Sequence, residues 1–185
     1  ERRPGERFDE RLEWDRDGQY FHYLSKWMHA LDQAARATGE ARYSAWACEL
    51  AETAHRAFAQ GPGGRGGRAM AWKMSSDLSR PLVPSMGQHD PLDGYITCVQ
   101  LGVTAAKFAP AARTSLDAAA IDFASMLEGR DLRTSDPLGL GGLMTDAYRV
   151  EQLARQGASV FARLLDALVA ATLGGLSHYA SQDEL

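Results

Sequence analysis

The sequence predicts an all-α fold made of three antiparallel helical hairpins, and three observations support this prediction. Six segments carry apolar residues at a helical period, and they fall into three consecutive pairs. The tripeptide Asp-Pro-Leu occurs at 90–92 and again at 136–138, so two equivalent helices begin 46 residues apart. A period of this length is typical of arrays of helical hairpins. Such an array forms an open superhelix or closes into a ring, and the long decorated insertion after the first hairpin favours the ring.

The first, or inner, helix of each hairpin is predicted from an apolar pattern and a start signal. These inner helices span 18–36, 91–108 and 137–156. The second of them is apolar on nearly every side, which is typical of a helix buried all round. Asp90 and Asp136 each precede a proline, and we interpret both as N-cap residues.

The return helices are predicted at 42–59, 115–128 and 158–173. Gly174-Gly175 is expected to end the last of them, because glycine is the common residue just past a helix. The chain is then divided into a connection over residues 1–13, a helical-hairpin domain over 14–176 with a functional loop at 60–90, and a C-terminal tail over 177–185. Within the loop, 61–67 is rich in glycine and is expected to be flexible and easily cut by proteases. Residues 69–74 are predicted as a short strand.

Composition argues against several classes of partner. A formal net charge of −4 and a pI near 5.7 disfavour nucleic acid, which needs clustered Lys and Arg. The longest uncharged apolar run, 167–176, is about half of the roughly 20 residues that a membrane span requires. Cys48 and Cys98 both lie in apolar helical segments, where a free thiol behaves as a small hydrophobe. We therefore expect a cytoplasmic protein with no disulfide framework, metal or cofactor.

The stretch from Met70 to Gly94 has no helical or alternating period although it lies between clearly helical segments. It contains one Trp, one Lys, one Arg, one His and three Asp within 25 residues. Long loops of this kind are usually ordered and functional. The alternative interpretation is a structural connection whose path is fixed by its prolines.

This stretch and the segment from Trp14 to Leu31 resemble the α/α toroid proteins of the six-hairpin glycosidase-like group. N-acylglucosamine 2-epimerase-like proteins and unsaturated glucuronyl hydrolases are similar, and the resemblance covers roughly residues 14–175. It implies sugar chemistry in a funnel lined by the loops that precede inner helices. It also implies either paired histidines that transfer protons at a sugar carbon or carboxylic acids that cleave a glycosidic bond. A full toroid has six hairpins, so a missing N-terminal half or a second copy would complete the ring.

The candidate catalytic residues are those that can transfer protons and have no evident capping role. His89 directly precedes an inner helix, and an unperturbed imidazole titrates near neutrality. His22 lies near the same end of the first inner helix, whereas His29 lies two turns deeper and is interpreted as structural. Asp77 and Asp17 complete the catalytic set.

The candidate substrate-binding residues supply the aromatic, charged and amide groups that sugar sites combine. They are Trp14, Trp72, Lys73, Arg80, Gln88 and Asp93. A metal site is not expected, because His89 and Asp90 are adjacent in sequence and would point apart.

The sequence therefore predicts a carbohydrate-active enzyme that acts on a small-molecule sugar or an oligosaccharide, by glycoside hydrolysis or by epimerisation. A non-catalytic helical-repeat binding or assembly module is the alternative. Self-association is also expected, because an isolated half-ring would expose the apolar helix at 91–108.

Overall fold

The computed structural model describes residues 2–3, 5–62, 68–83, 87–156 and 161–182. The chain forms two compact units, Glu1–Glu128 and Gly129–Leu185. Most residues are helical, which confirms the all-α class. No helix in the described part of the chain is long and apolar enough to cross a membrane.

The described residues form seven α-helices, whose bounds lie close to those expected from the apolar pattern. Six of them correspond to the predicted segments. The helices are α1 (Glu10–Asp15), α2 (Phe21–Thr38), α3 (Ala41–Phe58), α4 (Asp90–Phe108), α5 (Arg113–Ser125), α6 (Pro137–Arg155) and α7 (Ala162–Gln182).

Two of these helices correct the sequence interpretation. Helix α1 lies where residues 1–13 were expected to be only a connection, and Asp9 caps it by accepting a hydrogen bond from the backbone N–H of Leu12 at 3.2 Å. Helix α7 continues through Gly174-Gly175 into the expected tail. A Cβ on Gly175 would overlap the backbone carbonyl of Thr134, so this glycine permits a close approach rather than ending the helix.

Helices α2 and α3 pack against each other across a two-residue connection. Gly39 adopts a left-handed conformation, with φ of 75°, and its N–H donates to the carbonyl of Ala35. This is the common αL ending of a helix, and it lets the chain reverse at once. Helix α4 packs in the same way against α5, after a short 3-10 turn at Pro110–Ala112.

Helices α2 and α4 run parallel, as their side-chain contacts show. Ser25 contacts Asp93, Asp32 contacts Gln100, and Arg36 contacts Thr104, so the same offset of 68 residues holds along both helices. A constant positive offset requires two helices that point the same way. Equivalent helices of the first two hairpins therefore lie side by side.

The core of the first unit is apolar and contains three buried phenylalanines. Phe21 of α2 contacts Phe58 of α3 and Phe123 of α5, with ring centroids 5.6 and 5.4 Å apart. Such pairs contribute about 0.5–1.5 kcal/mol each beyond their buried area. They hold the N-terminal end of α2 in place.

Helix α4 packs against α2, α3 and α5 and is buried on most of its surface. Leu92, Ile96 and Ala105 have no measurable exposure. The apolar character of this helix was expected to leave an exposed patch, and that expectation is wrong because its neighbours within the unit cover it.

Two small sheets involve the stretch from Met70 to Gly94 and its flanks, and the single strand predicted at 69–74 is instead two strands, at Arg68–Met70 and Lys73–Met74. The strands are β1 (Gln19–Tyr20), β2 (Ala59–Pro62), β3 (Arg68–Met70), β4 (Lys73–Met74) and β5 (Pro81–Val83). They pair in the antiparallel orders β1-β4-β5 and β2-β3. Residues 63–67 of the predicted flexible insert lie outside the described residues.

In the second unit, α6 packs against α7. Asp136 caps α6, and its Oδ2 accepts a hydrogen bond from the N–H of Gly139 at 2.6 Å. Asp146 and Arg149, one turn apart on α6, form a buried ion pair at 3.3 Å.

Candidate functional site

A polar cluster lies where the N-terminal ends of α2 and α4 meet. The carboxylate of Asp93, on the first turn of α4, is its centre. Ser25 donates its hydroxyl to Oδ2 of Asp93, and Lys26 Nζ lies 3.2 Å from the same oxygen. The Thr97 hydroxyl donates to Oδ1 at 3.3 Å. These three donors favour the ionised form of a carboxylate that is only 6% exposed.

Asp90 lies one turn before Asp93 and is not the N-cap residue that the sequence suggested. The N-cap is His89, and Asp90 occupies the first helical position. Its Oδ2 is buried and has no hydrogen-bond partner in the part of the chain that the structure describes. Gly87 allows this arrangement, because a Cβ at that position would overlap the Asp90 carboxyl.

Burial raises the pKa of Asp90 from 3.8 to about 7, the charge of Asp93 adds to the rise, and Lys26 opposes it. The N-terminal end of a helix also favours a negative charge, by about 0.3–1 kcal/mol, or less than one pKa unit. The N-terminal end of the helix therefore lowers the pKa of Asp90 by much less than burial raises it. Asp90 and Asp93 thus form a pair of carboxyls in different surroundings: Asp93 accepts from three donors, and Asp90 keeps its proton up to about neutral pH.

His22 lies on α2 beside this pair. Burial, and then the charge of Lys26, lower the pKa of its imidazole, although the charge of Asp93 raises it. The ring packs against Tyr23 at 4.3 Å and Tyr20 at 5.6 Å between centroids. His22 is therefore a neutral imidazole at pH 7, able to accept or donate a hydrogen bond.

Polar contacts between α2 and α4 continue toward the C-terminal ends of both helices. The amide nitrogen of Gln100 donates to Nδ1 of His29 at 3.0 Å and to Oδ2 of Asp32 at 2.9 Å. Arg36 contacts both Asp32, at 3.0 Å, and the hydroxyl of Thr104, at 2.9 Å. These contacts give His29 the structural role that its depth in the helix suggested.

The three predicted binding residues near β4 serve the packing of the fold. Trp14 and Trp72 stack edge to face with centroids 4.5 Å apart. Lys73 is fully buried, and its ammonium donates to the carbonyls of Glu13 at 2.8 Å, Trp14 at 3.1 Å and Arg16. A lysine that uses its three donors in this way ties α1 to the sheet, which corrects its expected role as a substrate-binding group.

Asp77 and Arg80 belong to the turn between β4 and β5. Asp77 accepts hydrogen bonds from the hydroxyl of Ser75 at 2.6 Å and the N–H of Ser79 at 3.0 Å. These bonds hold its pKa at about 2, so it is ionised and organises the turn. Arg80 donates to the carbonyl of Arg2 at 3.1 Å and lines a cavity of about 380 Å³ together with Arg2, Arg3, Gly5 and Glu6.

The remaining predicted site residues are Asp17, Gln88 and His89. Asp17 is exposed in the connection between α1 and β1. Gln88 is exposed, and His89 is half-buried at the start of α4, next to Asp90. Of the ten predicted site residues, Gln88, His89 and Asp93 lie at or beside the start of α4. His22 lies on the neighbouring helix α2, close enough for the charge of Asp93 to act on its imidazole.

Sequence reasoning missed four members of the cluster: Ser25, Lys26, Thr97 and Asp90. Asp90 was set aside because Asp-Pro at a helix start is a common capping signal. Lys26 could have been found from its position four residues after His22, on the same helix face. Ser25 gave no signal, because its role depends on the pairing of α2 with α4.

No group of three or more His, Cys, Asp or Glu side chains within the described residues is arranged to hold a metal ion. No family model, no curated protein and no solved structure matches this chain.

Proposed function

We propose that the protein is a carbohydrate-active enzyme that transfers a proton from the Asp90–Asp93 pair at the start of α4. The single observation that carries this proposal is the contrast between the two carboxyls. Asp90 is half-buried, and its buried Oδ2 has no hydrogen-bond partner among the described residues, whereas Asp93 is held by three donors. Such a contrast is how one site supplies both a general acid and an anion near neutral pH.

In this proposal Asp90 is the proton donor to the leaving oxygen of a glycosidic bond. The Asp93 carboxylate stabilises the positive charge that develops on the sugar ring, and a water molecule then adds to the ring carbon and returns a proton to Asp90. His22 and Lys26 bind hydroxyl groups of the sugar, because Lys26 is largely exposed and His22 is half-buried beside it. His89 and Gln88 flank the same site on the loop that leads into α4.

The carboxyl pair favours glycoside hydrolysis over epimerisation by paired histidines. His29, the other histidine of α2, accepts a hydrogen bond from Gln100. His29 therefore serves the contact between α2 and α4, and the observation that favours hydrolysis is the pair of neighbouring carboxyls on α4. The predicted substrate remains a sugar or an oligosaccharide.

The proposed architecture is part of an α/α toroid. The parallel packing of α2 and α4 supports it, since inner helices of consecutive hairpins run in the same direction in such a ring. The funnel would then open at the N-terminal ends of the inner helices, where Asp90 and Asp93 lie.

The alternative is a helical-repeat module that binds its ligand without turnover. Ionised and hydrogen-bonded side chains such as Lys26 and Asp93 would serve binding equally well. The half-protonated Asp90 has no evident use in that case, and for this reason we prefer the enzyme.

The test is hydrolysis of a panel of 4-nitrophenyl glycosides by the wild-type chain and by Asp90→Asn, which preserves shape but removes the acid. We expect the variant to lose about 100- to 10,000-fold in kcat, the usual contribution of a general acid. Asp136→Asn, which changes the other Asp-Pro motif, is the matched control and should keep full activity. Equal activity of Asp90→Asn and wild type would refute the assigned role. Oligosaccharide binding without turnover by the wild type would favour the binding module.

A further inference from the structure

Helix α2 carries a second surface, distinct from the face that meets α4. Five residues without charge follow one another at spacings of four, three, four and three: Tyr23, Trp27, Ala30, Ala34 and Ala37. We call this set the α2 stripe. Spacings of this kind place all five side chains along one line of a helix, in the pattern of a coiled-coil seam.

The α2 stripe is accessible to solvent. Trp27 is 66% exposed and Tyr23 is 58% exposed, and the three alanines are exposed or half-buried. The stripe contains no Lys, Arg, Asp or Glu, although charged residues are frequent elsewhere on the surface of the unit. An uncharged line of this length is typical of a helix–helix contact and not of a solvated face.

The order of large and small side chains along the α2 stripe favours a second copy of the same helix as its partner. Both large residues, Tyr23 and Trp27, lie at the N-terminal end of the stripe, and the small residues follow. If two such helices pack antiparallel about an axis at Ala30, each Trp27 lies over Ala34 of the other copy and each Tyr23 over Ala37. Large residues then fill the space left by small ones, as close packing requires. A parallel pair would set Trp27 against Trp27 and leave the alanines without contact.

We propose that the α2 stripe is the contact surface of a two-fold symmetric dimer, in which α2 packs antiparallel against α2 of a second copy. The surface is self-complementary, which is the condition for an isologous contact. This contact differs from closure of a ring, in which neighbouring inner helices run parallel. Neither Asp90 nor Asp93 takes part in this contact, although the ring of Tyr23 packs against His22 with centroids 4.3 Å apart.

The area limits the strength of the dimer. Aromatic side chains bury about 150–250 Å² each when fully covered, so Tyr23 and Trp27 offer about 250 Å² per copy at their observed exposure. With the alanines and both copies, the total reaches roughly 1,000 Å², below the standard size of stable interfaces. We therefore expect a weak dimer that dissociates on dilution.

Sedimentation velocity of the full chain tests the proposed dimer. Protein concentrations of about 5 to 200 μM cover the range in which a weak interface associates and dissociates. The wild type should shift from monomer to dimer, and Ala34→Glu should raise the dissociation constant by about 100-fold, since a charge would be buried in an apolar contact. Ala106→Glu makes the same change on an exposed position of α4 and should dimerise like the wild type. A monomeric wild type, or a dimer that Ala34→Glu leaves intact, overturns the proposal.

A second variant tests the antiparallel register. Ala30→Cys places a thiol at the two-fold axis, where mild oxidation should join two copies by a disulfide, whereas Ala106→Cys should remain unlinked. The native cysteines, Cys48 and Cys98, are buried and do not compete. Loss of the dimer in Ala34→Glu without cross-linking of Ala30→Cys would overturn the antiparallel arrangement.

Discussion

Helices α4 and α6 begin with the same tripeptide, Asp-Pro-Leu, and the two aspartates behave differently. Asp136 lies just before α6, is exposed, and accepts a hydrogen bond from Gly139 N–H. Asp90 lies inside α4, its buried Oδ2 meets no hydrogen-bond partner among the residues that the structure describes, and burial together with Asp93 raises its pKa to about 7. The same local motif thus marks the beginning of both helices but does not determine the environment of its aspartate.

The surroundings explain the difference. At α6 the carboxylate remains in water and can turn back to the first free N–H groups of the helix. At α4 the residue before the aspartate, His89, takes the N-cap position, so the helix begins one residue earlier relative to the motif. Asp90 then packs against Gly87 instead of capping. A shift of one position along the chain turns a capping residue into a candidate acid.

The largest effect is expected at the carboxylate that holds the α4 site together. Asp93→Ala removes the acceptor of Ser25, Lys26 and Thr97, and two of these donors, Ser25 and Thr97, are buried. We expect a loss of about 2–3 kcal/mol in the free energy of unfolding, because two buried hydroxyls and Lys26 lose the carboxylate that accepts from them, and the Ser25 hydroxyl keeps the carbonyl of His22 as an acceptor. Urea denaturation followed by tryptophan fluorescence measures it, since all four tryptophans lie in the Glu1–Glu128 unit. A loss below about 0.5 kcal/mol, the usual size of a surface change, would show that the cluster does not stabilise the fold.

The next effect concerns Asp90 and depends on pH. Because its pKa is raised from 3.8 to about 7 in the folded protein, the folded state binds this proton more tightly than the unfolded state. Its contribution to stability is therefore full below about pH 4 and is lost as the pH rises to about 7. Asp90→Asn should match the wild type at pH 4 and exceed it at pH 8. A shift of about three units corresponds to about 4 kcal/mol, and partial solvent access reduces the expected gain to about 2 kcal/mol.

The same urea titrations, run at pH 4 and pH 8 on both proteins, isolate this group, because other titrating residues cancel in the difference. An equal difference at both pH values would mean that Asp90 does not titrate in this range. In an Asp93→Ala background the pH window should move downward, since the neighbouring negative charge is gone.

These two sites also show what the sequence could predict. The 3.6-residue period located the six long helices, because burial of one face leaves a direct trace in the order of residues. Apart from the strand expected at 69–74, the sequence did not predict the strands, because segments of two to four residues are too short to show an alternating period and depend on pairing with distant segments. The sequence also placed Asp93 and His22 at the same end of the fold, since both lie in the first turns of their helices, α4 and α2.

The rest of the site required tertiary information. Lys73 was expected to bind substrate, but the register of β4 with β1 buries it under α1. Asp90 was dismissed because the local signal was identical to that of Asp136. Only the packing of α4 against α2 distinguishes the two aspartates, and no spacing rule within either motif contains that information.

The smallest effect is expected at Asp136. Asp136→Ala removes an exposed N-cap, which costs about 1 kcal/mol, or roughly a fivefold change in the equilibrium for opening the first turn of α6. Asp136→Asn should cost only a few tenths of a kcal/mol, because an asparagine side chain caps nearly as well.

Hydrogen exchange measured by mass spectrometry on a peptide covering 137–145 reads this turn directly, whereas tryptophan fluorescence does not report on this unit. If the carboxylate acts as a cap, exchange accelerates in Asp136→Ala and not in Asp136→Asn. If both variants exchange alike, or if Asp90→Ala accelerates the first turn of α4 by a similar factor, the difference between the two motifs does not hold.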